Sequence, residues 1–173
     1  MSYIVVDVEA DGQIPGINSM VCFGAVVVRD GIRDTFYGQT KPISTVYEES
    51  ALAISGFTRE QHKKFEDPKV TMQNFQEWVL AVNTTGRATL ITDNPAFDFA
   101  YINYYMHVYC GKNIFGWSAR RIGDLFCGFY KDASYQWKKH RVTKHTHHPV
   151  ADALGNAEAL LYLRDQGLKI KLL

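Results

Sequence analysis

The chain has 173 residues, of which 46% are hydrophobic, 13% aromatic and 21% charged. This composition excludes intrinsically disordered and collagen-like chains, and the length predicts a single domain over residues 1–173. Because 19 basic residues stand against 18 acidic ones, the formal net charge is only +1, so any surface that binds a polyanion must come from locally placed charge.

The first forty residues have the pattern of β-strands. Short apolar runs bounded by turn residues predict strands at residues 3–9, 19–29 and 33–40. Asp30 and Gly31, which join the last two, are typical of a hairpin turn. We therefore expect an antiparallel meander of three strands in this part of the chain.

Between residues 46 and 82 the spacing of the apolar residues becomes helical. Thr71 is predicted to cap a helix in this region. The predicted buried face of this helix consists of Met72, Phe75, Trp78, Val79 and Val82. Such a face is most simply part of the hydrophobic core.

The second half of the chain alternates between strand and helix. A strand at residues 88–92 leads into Asn94, a predicted N-cap, and Pro95, a predicted first helical residue, and the helix continues to about Tyr109. A brief apolar segment at residues 114–117 precedes a helix at 118–130, and a last helix begins near Pro149 and ends at Gly167. This order predicts an α/β fold in which a mixed sheet with an antiparallel edge is flanked by helices.

Cysteine usage and hydropathy indicate the compartment. Three dispersed cysteines, Cys22, Cys110 and Cys127, form no C-x-x-C pair, which is typical of a reducing environment. No segment approaches the roughly 20 apolar residues of a bilayer-spanning helix, and no basic leader precedes Ser2 as in a signal peptide. We expect a soluble cytoplasmic protein without membrane association.

Two carboxylates interrupt the first predicted strand. Asp7 and Glu9 lie in the otherwise apolar run of residues 3–9, where a buried carboxylate is costly unless something compensates its charge. Residues two apart on a strand point to the same face about 7 Å apart, so both side chains can reach one site that holds two divalent cations. The alternative is a strand end that frays into solvent and exposes both carboxylates.

Asp98 lies in the first turn of the helix that follows a strand. Ligand sites of α/β sheets gather at the carboxyl ends of strands, which is also where Asp7 and Glu9 are expected. The alternative is structural, because an Asp in a first helical turn is favourable by about 0.3–1 kcal/mol through the helix dipole alone.

A histidine-rich loop precedes the last helix. His145, His147 and His148 come just before Pro149, and Asp152 lies in the first turns of the helix. Imidazole titrates near neutral pH and can take a proton from water. The alternatives are a solvated loop or a zinc site. Zinc is disfavoured because the imidazoles crowd one short loop and the cysteines are dispersed, whereas carboxylate oxygens suit Mg²⁺ or Mn²⁺.

Three motifs therefore occur in order: Asp-x-Glu on the first strand, Asn-x-x-x-Asp at a middle helix and His-x-x-x-x-Asp at the last helix. In this combination the chain resembles the DEDDh 3′-to-5′ exonucleases, a superfamily that includes proofreading exonuclease subunits, RNase T and oligoribonuclease. The resemblance extends from Tyr3 to about Leu163. It implies a ribonuclease H-like fold with a mixed five-stranded sheet.

The resemblance also implies roles for individual residues. Asp7, Glu9 and Asp152 would bind metal directly, as ligands of two Mg²⁺ or Mn²⁺ ions. Asp98 would belong to the environment of the second metal, and His147 would be the general base. His147 is chosen among the histidines because four residues separate it from Asp152, as in the family.

Two further segments are compared with the family. Residues 54–58 resemble the segment that walls its terminal-nucleotide pocket, so Phe57 is expected to stack on a base; the alternative is a buried Phe beside a glycine turn. After Glu9 the family often carries Thr-Thr-Gly, whereas this chain has Ala10, Asp11 and Gly12. The hydroxyl contact is lost, but Ala10 and Gly12 are still expected to bind substrate through backbone amides. Asp11 is interpreted as the cap of a turn with Gly12.

Positive charge is concentrated just before His147. Residues 137–148 contain four basic side chains and no acid, and Arg120 and Arg121 are candidates to extend the patch. The residues predicted to bind substrate here are Trp137, Lys138, Lys139 and Arg141. Lys and Arg position phosphates and aromatic faces stack on any base, which suits sequence-tolerant binding of single strands. The alternative is a solvated loop.

The resulting hypothesis is a two-metal 3′-to-5′ exonuclease that releases nucleoside 5′-monophosphates from single-stranded RNA or DNA 3′ ends. The resemblance to RNase T and oligoribonuclease favours RNA. Rival interpretations are a ribonuclease H-like endonuclease, a catalytically silent nucleic-acid-binding module and a structural protein whose acids are all on the surface. A homodimer is expected if the run of Tyr101, Tyr104, Tyr105 and Tyr109 forms an exposed patch rather than core.

Overall fold

The computed structural model describes residues 2–83 and 86–170. Its strands are β1 (Tyr3–Ala10), β2 (Met20–Val27), β3 (Thr35–Gln39), β4 (Thr89–Thr92) and β5 (Arg120–Arg121). They form one sheet in the order β3-β2-β1-β4-β5. The first three strands are antiparallel neighbours, whereas β4 is parallel to β1 and β5 is parallel to β4. The predicted mixed five-stranded sheet with its N-terminal meander is confirmed.

The helices are α1 (Glu49–Ile54), α2 (Arg59–His62), α3 (Pro68–Val82), α4 (Asp98–Cys110), α5 (Ile122–Tyr130) and α6 (Pro149–Asp165), with a 3₁₀ helix at Trp137–His140. They cover both faces of the sheet because β1 is apolar on both sides. Ile4, Val6 and Val8 pack with residues of α3 and α4. Val5 packs with residues of α5 and α6 on the opposite face. Within the described part of the chain, no helix combines the length and apolar character needed to cross a bilayer.

Both predicted caps of the middle helices are wrong. Helix α3 begins at Pro68 with Asp67 as its N-cap, because the Asp67 side chain accepts a hydrogen bond from the Lys69 backbone N at 2.9 Å. Thr71 lies inside this helix, and its hydroxyl donates to the carbonyl of Gln39 at 2.8 Å. Helix α4 begins only at Asp98, so Asn94 is not its N-cap and Pro95 is not its first residue. Residues 94–97 form a separate turn.

The predicted start of α5 is also displaced. The apolar segment at residues 114–117 is not a strand; the strand is the two-residue β5, and α5 begins at Ile122 rather than at residue 118. Phe115 of that segment is 2% exposed and packs into the α3–α4 side of the core. A two-residue strand of two arginines has no apolar pattern by which the sequence could reveal it.

Candidate active site

Strand β1 places Asp7 and Glu9 on the face of the sheet that α6 covers. Side chains alternate along a strand, and Val5 on the same face packs with α6 residues. Glu9 is 9% exposed, so the alternative of a frayed strand end with solvated carboxylates does not hold. Both carboxylates belong to a largely buried site.

Asp152 joins them because α6 approaches the sheet very closely at its first turn. Gly24 of β2 is the register partner of Asp7. A Cβ at this position would lie 2.3 Å from the backbone N of Val150 and 2.4 Å from the carbonyl carbon of Pro149. The start of α6 therefore occupies the space that a side chain at residue 24 would need. Asp152, one turn into the helix, is 1% exposed.

The carboxylates of Asp7, Glu9 and Asp152 lie close together. One ligand oxygen from each of Asp7, Glu9 and Asp152 lies within 4.8 Å of the others. Hard carboxylate oxygens in this number are suited to Mg²⁺ or Mn²⁺. The residues present fit a divalent metal centre of the kind predicted from the sequence.

His147 lies at the exposed edge of this centre. Its ring Nδ1 is 3.5 Å from Oε1 of Glu9, and its side chain is about half exposed. The carboxylate of Asp152 fixes the loop, because its two oxygens accept hydrogen bonds from the backbone N atoms of Thr146 and His147, both at 2.9 Å. These bonds hold His147 in the left-handed region, at φ +59°. The geometry leaves the imidazole open to a water or a substrate.

Asp98 is placed differently from the other predicted carboxylates. It is 4% exposed and belongs to α4, which packs on the opposite face of the sheet. Its Oδ1 accepts from the backbone N of Val8 at 3.1 Å, and its Oδ2 accepts from the Thr92 hydroxyl and from the Asn94 N. Asp98 thus joins the ends of β1 and β4, and its ligand atoms are outside the three-carboxylate group. A role in metal binding stays a prediction.

The electrostatics of the site reflect this crowding. Burial, followed by the charges of Asp98, Asp152 and Glu9, raises the pKa of Asp7 well above its ordinary value, while Arg141 opposes the rise. Burial also raises the pKa of Glu9 to about 7 and that of Asp98 to about 6. Carboxylates with raised pKa values gain most from a bound cation, which favours their charged forms.

These pKa shifts predict how stability depends on pH without metal. The pKa values of Glu9 and Asp98 are higher in the folded than in the unfolded chain, so the folded chain binds protons more tightly at these two groups. The stability that this proton binding contributes is lost as the pH rises through about 6 for Asp98 and about 7 for Glu9. In a chelator, Tm should therefore fall between about pH 5.5 and about pH 8. Added Mn²⁺ should raise Tm more at the higher pH. A calorimetric series that shows no greater effect of Mn²⁺ at high pH would contradict this site.

The predicted contacts near the end of β1 are mostly buried. Ala10 is 4% exposed, and Gly12 is also buried, with its carbonyl accepting from the Tyr101 hydroxyl at 2.8 Å. A binding role of Ala10 and Gly12 is thus limited to their backbone atoms.

Phe57 is half-buried and packs edge-on against Phe65, with ring centroids 4.9 Å apart. Phe57 also lines an apolar cavity of about 220 Å³.

A buried ion pair beside the site was missed by the sequence analysis. Asp11 is fully buried, and the interpretation as the cap of a turn with Gly12 is wrong: its Oδ2 pairs with Nη1 of Arg59 at 2.5 Å, and its Oδ1 accepts from the Ser19 N. Arg59 also donates to the carbonyl of Ser44. This network ties the segment around Phe57 to the end of β1. The partners are 48 residues apart, so no local pattern indicates them.

The basic segment contains one predicted binding residue that is largely buried. Trp137 is 5% exposed and stacks on Phe126 with ring centroids 5.9 Å apart, so most of its ring packs in the core and only an edge lines a cavity. Its contact with bases stays a prediction. Arg141 lies over the same ring at 5.0 Å, and its buried Nε has no hydrogen-bond partner among the described residues. Lys138 pairs with Asp93 at 2.7 Å.

Two cavities surround this basic segment. One, of about 360 Å³, is lined by Lys138, Lys139, Arg141 and Lys144 among others. The other, of about 570 Å³, lies beside Asn94 and is lined by Arg121 and Lys138. Each of the four predicted binding residues in this segment therefore lines one of the two cavities. The charge of Arg141 also acts on the carboxylate site, because it opposes the rise in the pKa of Asp7.

Comparisons with known proteins give one relative of known activity. No family model matches the chain. The chain is 36% identical over 128 residues to the 3′-5′ DNA exonuclease Cap18 of Escherichia coli, a match that covers 73% of this chain and 68% of that protein.

Solved structures show the same fold at low sequence identity. The nuclease domain of 3′hExo, a DEDDh family member bound to rAMP, has a TM-score of 0.77 at 16% identity and covers 99% of this chain and 96% of its own. The E. coli ExoI–ssDNA complex in its zinc-bound form has a TM-score of 0.74 at 14% identity, over 96% of this chain and 41% of that one. The expected ribonuclease H-like fold is confirmed.

Proposed function

The chain belongs to the DEDDh superfamily of 3′-to-5′ exonucleases, and we propose that it shortens single-stranded nucleic acid by two-metal hydrolysis. The observation that carries the proposal is the convergence of Asp7, Glu9 and Asp152 within 4.8 Å, with His147 at the open edge. Burial raises the pKa of Asp7 and Glu9, which makes this group of carboxylates costly without a bound cation. Such perturbed groups are typical of catalytic sites and are not expected in a silent binding module or a structural protein.

The three carboxylates would hold two divalent cations. Bound there, Mg²⁺ or Mn²⁺ supplies a water of lowered pKa and neutralises charge on the leaving oxygen. Asp7 and Glu9 are fixed by the sheet, and Asp152 is fixed by the first turn of α6, so the ligand set is preorganised by rigid elements. Asp98 would support this set from the other face by holding β1 and β4 together.

His147 would act as the general base. It accepts a proton from the attacking water, whose oxygen forms a bond to phosphorus while the bond between phosphorus and the 3′ oxygen breaks. The products are a nucleoside 5′-monophosphate and a strand one nucleotide shorter with a free 3′ hydroxyl. The short loop between His147 and Asp152 keeps base and metal ligand together, because the Asp152 carboxylate accepts the backbone N–H of His147.

The strand upstream of the cleaved bond would lie along the basic segment. Lys138, Lys139 and Arg141 line the cavity beside the site and offer cations to phosphates. Arg121 extends this charge into the neighbouring cavity beside Asn94. These contacts carry no base readout, so we expect little sequence preference.

DNA is the proposed preferred substrate. The resemblance considered with the sequence favours RNA, and 3′hExo, bound to rAMP in its solved structure, is the observation that supports RNA as the second candidate. However, the relative named as a DNA exonuclease shares 36% identity with this chain, against 16% for 3′hExo. The higher identity favours DNA. A homodimer stays a prediction, although Tyr101 and Tyr105 are fully buried and provide no exposed patch.

The test is a time course on 5′-labelled DNA and RNA strands of identical sequence with Mn²⁺. The proposal predicts a ladder that shortens from the 3′ end, faster on DNA, with 5′-monophosphates as products by chromatography. A 3′-phosphate should block the reaction, and closed circular single strands should stay intact. Cleavage of the circles would favour the endonuclease, and faster cleavage of RNA would support the second candidate.

A further inference from the structure

A second cluster of metal-ligating side chains adjoins the three carboxylates. Ligand atoms of His145, His147 and Asp152 also lie within 4.8 Å of one another. Nδ1 of His145 is 2.9 Å from Oδ2 of Asp152, and the two imidazole rings stand 4.3 Å apart at an interplanar angle of 70°. His145 has no part in the proposed hydrolysis, so its position beside Asp152 needs a separate explanation.

The sequence pattern disfavoured zinc on this loop, but the structure brings the Asp152 carboxylate into the histidine cluster, so its donor set differs from that of the carboxylate centre. Two imidazoles and one carboxylate are typical ligands of Zn²⁺ with an open fourth position, whereas Mg²⁺ and Mn²⁺ prefer oxygen. Ligand atoms about 2.1 Å from a tetrahedral zinc lie roughly 3.4 Å apart. Both imidazoles are about half exposed, so small rotations of their side chains can close the remaining distance.

The backbone of the loop is already arranged for this geometry. Asp152 accepts hydrogen bonds from the backbone N atoms of Thr146 and His147, and the Thr146 hydroxyl accepts from the N of His148. The loop therefore presents residues 145 and 147 toward the same carboxylate through its own hydrogen bonds. Little ordering remains to be done when a metal binds.

We infer that His145, His147 and Asp152 form a zinc site that inhibits the nuclease. Zinc held there occupies the imidazole of the general base and one carboxylate of the catalytic metal centre, so zinc binding and hydrolysis exclude each other. This regulatory role rests on the proposed function, because it assigns His147 and Asp152 to catalysis. The zinc site itself depends only on the geometry of the loop.

Direct binding tests the site without any nuclease activity. Zinc affinity is measured by competition with a chromophoric chelator in the Asp7→Asn background, which weakens the carboxylate centre. Adding His145→Ala should weaken zinc binding by at least about tenfold. Adding His148→Ala, a matched control whose ring stacks on Tyr37, should leave the affinity unchanged. Equal affinities with and without His145 would overturn the site.

Inhibition tests the regulatory role. At saturating Mg²⁺, zinc should inhibit the wild type and His148→Ala alike, whereas His145→Ala should need at least about tenfold more zinc to lose the same fraction of its own zinc-free activity. Equal zinc sensitivity of wild type and His145→Ala would overturn the inhibition. An inactive wild type that still binds zinc through His145 would refute the proposed function and leave the site standing.

Discussion

Replacing Asp7 by Asn is expected to lower kcat by roughly a thousandfold, which corresponds to about 4 kcal/mol of lost transition-state stabilisation. The same change should raise the Tm of the metal-free protein. Asn is neutral and of the same shape, so it removes the repulsion between residue 7 and the carboxylates of Asp98, Asp152 and Glu9. This repulsion adds to burial in raising the pKa of Asp7. A metal-binding carboxylate is expected to lower the Tm of the metal-free protein and to be needed for activity.

The measurement pairs single-turnover rates in Mn²⁺ with thermal melts in a chelator. Asp34→Asn is the matched control, because Asp34 pairs with Arg29 on the surface and should affect neither quantity much. Retention of activity in Asp7→Asn, or a lower Tm than the wild type without metal, would mean that Asp7 has an ordinary structural role.

Replacing Gly24 by Ala is expected to lower kcat by about a hundredfold and the free energy of unfolding by about 2 kcal/mol. The new Cβ would meet the backbone of Pro149 and Val150 at 2.3–2.5 Å. Because the clashing atoms belong to the backbone, a rotation of side chains cannot remove the clash. The first turn of α6 must therefore move away from the sheet. Asp152 and His147 move with it, away from Asp7 and Glu9.

Gly128→Ala is the matched control for this change. Gly128 lies inside α5, and a Cβ there would meet nothing within 4 Å. Alanine in a helix should keep or increase stability and leave the rate unchanged. A Gly24→Ala variant with wild-type kcat would show that the close approach of α6 is not what assembles the site.

The sequence predicted those parts of the site that depend on local pattern. Asp7 and Glu9 stand out because carboxylates interrupt an apolar strand, and the spacing of His147 and Asp152 is visible before the last helix. The structure brings Asp7, Glu9 and Asp152 together with His147 beside them. The order of strands and helices also predicted a mixed sheet flanked by helices, because periodicity sets the meander and the alternation, whereas the five-stranded ribonuclease H-like sheet came from the resemblance to the family.

What the sequence could not predict depends on contacts between distant residues. The Asp11–Arg59 pair joins two segments that are separated in the chain, and each residue alone resembles a surface charge. Trp137 was expected to bind bases because it adjoins lysines, but its ring packs against Phe126 of another helix. The role of Gly24 becomes visible only when α6 is seen against β2.

Asp7, Glu9 and Asp152 are proposed to bind the catalytic metals, and anomalous diffraction from crystals soaked with Mn²⁺ and a nucleoside 5′-monophosphate tests this proposal. We expect two manganese peaks about 3.5–4 Å apart in contact with these three carboxylates. Manganese absent from the carboxylates, or bound only between His145 and His147, would contradict it.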